Sequence, residues 1–157
     1  MTTQDDVSPD QWRALRAGPW AVGLYIATAV GGKVQEVREL LALGGALRRA
    51  LDRDEADPVR AVAAAVVGDV PMADIAGMCP DDRPAMLRAV AAAGAAALTL
   101  PGGRASLRWL MELAREVAAA EMDGGFLGLG AEAVHTAEQI ALAELAEALG
   151  LLGEQRP

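Results

Sequence analysis

The chain has 157 residues, enough for one domain with a real core. Hydrophobic residues make up 53%, aromatic residues only 3%, and the formal net charge is −8. That balance excludes a phosphate-binding nucleic-acid surface and adhesion to anionic membranes, both of which need clustered Lys and Arg. The longest uncharged runs, 17–32 and 89–103, are too short and too broken by Gly or Pro to insert in a bilayer.

The apolar content is mostly Ala, Leu and Val. Alanine is the best helix former, and leucine loses little rotamer freedom in a helix. Recurrent apolar–polar alternation, the strand signature, is missing. These features predict an all-α fold: a compact single-domain bundle of about seven or eight helices over residues 8–152. Disordered residues 1–7 and a short tail at 153–157 are expected to flank it. A lone cysteine, Cys79, rules out an intrachain disulfide and fits a reducing compartment. The polar, acidic start MTTQDDVSPDQ does not read as a secretory leader, so a cytoplasmic location is expected.

In chain order, Ser8-Pro9-Asp10-Gln11 reads as a capping box opening a short helix that carries Trp12 and Leu15. Gly18-Pro19 is expected to interrupt it. A second, almost wholly apolar helix over 19–30 should lie at the centre. A third covers 34–51. Asp57-Pro58 then restarts the chain, and that helix stops at Gly68. Residues 71–78 form a short helix at best. The run 79–84 is a loop with two possible caps ahead of an alanine-rich helix over 84–98, with Gly94 as its weak spot. Pro101-Gly102-Gly103 closes that helix. The clearest amphipathic segment follows at 104–122. Leu107, Leu110, Met111, Ala114, Val117 and Ala118 form its apolar stripe, with Arg108, Glu112, Arg115 and Glu116 off it. After a glycine-rich loop over 123–133, Thr136 with Gln139 suggests another capping box. The last helix ends at Gly150.

One pattern occurs twice. An apolar helix runs into Gly31-Gly32, and another runs into Gly124-Gly125. In the helix after each turn, leucines fall 4, 7 and 11 residues beyond a glutamate: Leu40, Leu43 and Leu47 after Glu36, and Leu142, Leu145 and Leu149 after Glu138. That spacing places them on one helical face with the acid at its N-terminal end. A pseudo-repeat of two helical hairpins is the architecture it describes.

The residues able to carry chemistry gather at the second turn. The loop Gly124-Gly125-Phe126-Leu127-Gly128-Leu129-Gly130 offers backbone N–H groups that could hold an anion or line a ligand pocket. It lacks the Lys-Ser/Thr ending of a phosphate loop and the strand that precedes a dinucleotide loop. Its structural reading is a set of sharp turns with Phe126, Leu127 and Leu129 plugging the core. Glu121, Asp123, Glu132 and Glu138 surround the loop and offer oxygen ligands suited to Ca²⁺ or Mg²⁺. EF-hand spacing is not present, and an acid near a helix start is also favoured by the helix dipole alone. His135 and Cys79 are the only residues of their kinds, too few for a His-based zinc site. Glu112 and Glu116 read as a solvated face beside Arg115 rather than a catalytic carboxylate pair.

An apolar helix, a glycine turn and a helix opening with Glu resemble the unit of TerB-like domains, the all-helical tellurite-resistance family. The resemblance covers about residues 20–51 and 104–150. The stretch from Leu110 through GGFLGLG to Gly150 is also similar to a group of bacterial proteins with a GGFLG-type loop. The resemblance implies a role in stress-response systems and divalent metal held by acids at such turns, here Asp123 and Glu138 in the second unit and Glu36 in the first. The first turn departs from the family pattern, with Val30 where an acid is usual. The sequence therefore points to a cytoplasmic helical protein that interacts with a protein partner or with itself; no catalytic constellation is legible, which weighs against an enzyme but leaves open one whose residues are scattered along the chain. The alternative is a metal- or small-ligand-binding module at 123–133. No organic cofactor is implied.

Overall fold

The computed structural model describes residues 6–30, 33–54, 57–69, 82–122 and 131–152. Among them are six helices: α1 Pro9–Val30, α2 Lys33–Ala50, α3 Pro58–Gly68, α4 Arg83–Leu98, α5 Gly103–Met122 and α6 Ala131–Ala148. The described residues contain no strand, so the fold is all-α. None of the described helices is long and apolar enough to cross a membrane. The expected short helix at 71–78 lies outside the described residues.

Six helices among the described residues are fewer than the seven or eight expected, first because two expected helices are one in α1. Its start is the capping box read from the sequence. The Gln11 N–H donates to Ser8 Oγ at 3.2 Å, and the Ser8 N–H donates to Gln11 Oε1 at 2.9 Å. The break expected at Gly18-Pro19 does not occur, and Pro19 sits inside the helix. Proline there removes the N–H that would bond the Leu15 carbonyl. Packing outweighs that loss. The missing side chain of Gly18 lets α1 close onto α4, for a Cβ there would stand 2.6 Å from the Ala93 Cβ. Beyond it Ala21, Val22, Tyr25 and Ile26 are fully buried, as the apolar segment required.

The next starts follow the sequence. Asp57 caps α3 by accepting from the Val59 N–H at 2.8 Å, and Asp82 caps α4 by accepting from the Ala85 N–H at 2.9 Å, each with proline in the first turn. Gly94 is more than a weak spot. It is buried in α4 where a Cβ would meet Leu149 Cδ2 at 3.1 Å and Leu107 Cδ2 at 3.3 Å, so three helices converge on it.

The start of α6 is a second correction. The helix begins at Ala131, so residues 131–133, expected as loop, are helical, and Thr136 is an exposed residue within the helix rather than its cap. Ala131 and Ala133, both strong helix formers, extend the helix back toward Gly130. Its other end is as read. Gly150 adopts φ 70°, the Leu151 N–H donates to the Ala146 carbonyl at 2.8 Å, and the Gly150 N–H donates to the Glu147 carbonyl at 2.9 Å. This is the left-handed stop that glycine permits.

Every residue of the predicted stripe on α5 is buried, and Arg108, Glu112, Arg115 and Glu116 are exposed. The buried face is wider than the stripe, because Trp109 and Leu113 are buried too. They turn toward α2, whereas Met111 borders α6. Leu110→Ala should therefore destabilise by roughly 2–5 kcal/mol, and Glu112→Ala by less than ~0.5 kcal/mol. Equal losses in denaturant melts would refute this assignment of faces.

The helix directions follow from the contacts. Helix α2 starts three residues after α1 ends, and Gly23, two turns before that end, meets Leu43, about three turns into α2, so the two helices are antiparallel. Gly18 meets Ala93 while Tyr25, later on α1, meets Arg83 at the start of α4, so α4 is antiparallel to α1, and the corner at 99–102 turns α5 back along α4. Thus α5 is antiparallel to α2 and parallel to α1. Leu107 meets Leu149 over Gly94, and Arg115 shares a groove with Gln139, so α6 is antiparallel to α5. The two hairpins α1–α2 and α5–α6 therefore run the same way, so the end of α1, the start of α2, the end of α5 and the start of α6 lie at one end of the bundle.

Candidate functional site

That shared end is where the sequence placed its candidate residues. Glu36 stands near the start of α2 and Glu132 in the first turn of α6. Their side chains lie outside the described residues, as do Asp123, Gly124, Gly125, Phe126, Leu127, Gly128, Leu129 and Gly130, the Cys79 residue and the His135 side chain. Among the described residues, no three His, Cys, Asp or Glu side chains are grouped as a metal site would need.

Glu138 is the candidate whose surroundings are defined, and it is 3% exposed. It lies on the face of α6 that also carries Ala141, Leu145 and Leu149, all buried. The sequence pattern set it at the helix start, but with α6 beginning at Ala131 it stands two turns in. It is thus a carboxylate on the core face of α6, in the half of that helix nearer its start. Burying a carboxylate is costly unless neighbours compensate it, which distinguishes this acid from an ordinary first-turn residue.

Further along α6 is a second polar arrangement, which joins three helices. Tyr25 of α1 is 1% exposed, and its hydroxyl donates to Glu144 Oε2 of α6 at 2.5 Å. Arg83, the first residue of α4, pairs with the same oxygen at 3.2 Å and donates to the Tyr25 carbonyl at 3.2 Å. Its guanidinium carbon lies 3.9 Å from the centre of the Tyr25 ring. Burial pushes the Tyr25 phenol up to about 12; the hydrogen bond to Glu144 and that residue's charge act the same way, and the Arg83 charge opposes them. A phenol in this setting keeps its proton near neutrality and donates it to a fixed carboxylate. Chemically it is a clasp rather than a base or nucleophile. Glu144 and Arg83 remain part-exposed, with side chains 41% and 33% open to solvent.

Other charged side chains also bridge helices. Arg16 of α1 pairs with Asp69 after α3 at 3.0 Å, and Arg49 of α2 pairs with Glu116 of α5. Glu116 of the Glu112–Glu116 pair is thereby an interhelical tie on an open face. Exposed pairs of this kind contribute little individually.

The clasp was not anticipated from the sequence, although one signal was available. Tyr25 is the only tyrosine, set in an otherwise apolar helix, and a buried tyrosine hydroxyl usually finds a partner. Comparison with protein-family models, curated proteins and solved structures gave no match to this chain.

Proposed function

We propose that this chain is a non-catalytic helical protein that works by contact with a protein partner or a second copy of itself, with the side of the bundle around α6 as its contact surface. One observation carries this reading: large aliphatic side chains stand in solvent around α6. Ile140 on α6 is 55% exposed, and Leu152, just past its C-terminal stop, is 59% exposed. Leu98, 56% exposed, ends the helix that meets α6 through Gly94 and Leu149. Leu41 of α2 and Val67 of α3 are exposed as well, at 72% and 41%; we take the three around α6 as one patch, since a contiguous apolar patch marks a contact surface where scattered residues do not. The TerB-like pattern of helix, glycine turn and acid-led helix adds a role in a cytoplasmic stress response by analogy.

The test compares wild type with an Ile140→Glu/Leu152→Glu double variant. Both should show the same helical circular dichroism. The wild type should self-associate with rising concentration in sedimentation velocity, or retain a partner in pull-downs, and the variant should lose that behaviour. A wild type that stays monomeric and retains nothing the variant lacks would overturn the proposal.

A second reading, a metal or small-ligand module at 123–133, is favoured by the burial of Glu138 two turns into α6. On this reading, excess Ca²⁺ or Mg²⁺ raises the melting temperature over EDTA, by mass action on the native state. Asp123→Ala and Glu138→Gln should each abolish the rise. Melts of the wild type that coincide with and without metal would rule out these two ions.

A further inference from the structure

We draw no further inference here: the strongest candidate, the groove of about 170 Å³ between α5 and α6 lined by Met111, Leu142 and Ala143 with Arg115 and Gln139, belongs to the surface already described around α6, and nothing in the structure shows what covers it.

Discussion

Gly103→Ala should destabilise the protein by about 3 kcal/mol or more, at the upper end of what overpacking does. Gly103 opens α5 directly after the tight corner that ends α4. A methyl group there would run into the Ala97 carbonyl and stand 2.7 Å from the Ala97 carbonyl carbon and 2.8 Å from the Leu98 Cα. These are backbone atoms, which cannot swing aside as a side-chain tip can. The corner is itself closed by hydrogen bonds, from the Leu100 N–H to the Ala97 carbonyl and from the Gly103 N–H to the Leu100 carbonyl, each at 3.0 Å. Relief would have to come from opening the corner. Gly44→Ala is the matched control. It lies inside α2 with nothing within 4 Å of an added Cβ, so alanine there should stabilise by ~0.5–1 kcal/mol through helix propensity alone. At this chain length each kcal/mol moves Tm by roughly 2–4 °C, so the two variants should separate clearly in thermal melts. If Gly103→Ala proved as benign as Gly44→Ala, the α4–α5 corner would have slack that a close backbone approach does not allow.

The parts of the fold legible in the sequence are those decided within a few residues. Ser8 and Gln11 form their capping box because both partners lie in one turn. Asp57 and Asp82 cap for the same reason, and Gly150 stops α6 because glycine tolerates the left-handed region. The stripe on α5 was legible because one face of a helix repeats at a fixed spacing. What failed depended on neighbours distant in the chain. Pro19 reads as a break until Gly18 is seen against Ala93, across the contact that holds α1 on α4. Trp109 and Leu113 fall off the stripe in sequence, and they are buried because α2 covers that side of α5.

The candidate site divides along the same line. Glu138 drew attention because an acid leads a leucine pattern, and its burial gives that placement physical weight. Its depth within α6 was misread because the helix start was set at Thr136 instead of Ala131. The clasp was invisible because its members come from three helices, Arg83 lying 58 positions and Glu144 119 positions from Tyr25. No local pattern links such residues.

Tyr25→Ala should destabilise by about 3–5 kcal/mol, the range for removing a buried aromatic side chain. Tyr25→Phe isolates the hydroxyl and should give up ~1.5–3 kcal/mol, the range for a hydrogen bond to a charged group. Glu144 is part-exposed and regains water when the phenol leaves, which favours the lower half of that range. The clasp also fixes a pH dependence. The native phenol titrates at about 12, above the ordinary value near 10. Between those values the unfolded chain has released the proton and the native chain still holds it. The stabilising contribution is therefore complete below about pH 10 and is lost as pH rises through about 12. Because Tyr25 is the only tyrosine, tyrosinate absorbance reports this one residue without overlap from others. Wild type should titrate late and lose stability across that window. Glu144→Gln should bring the titration earlier, because it removes the negative charge that opposes ionisation. In Tyr25→Phe the phenol's share of the alkaline loss should vanish. A wild-type phenol that titrates at its ordinary value in the folded protein, unmoved by Glu144→Gln, would mean that Tyr25 is not held by Glu144 and that α1, α4 and α6 are joined by apolar packing alone.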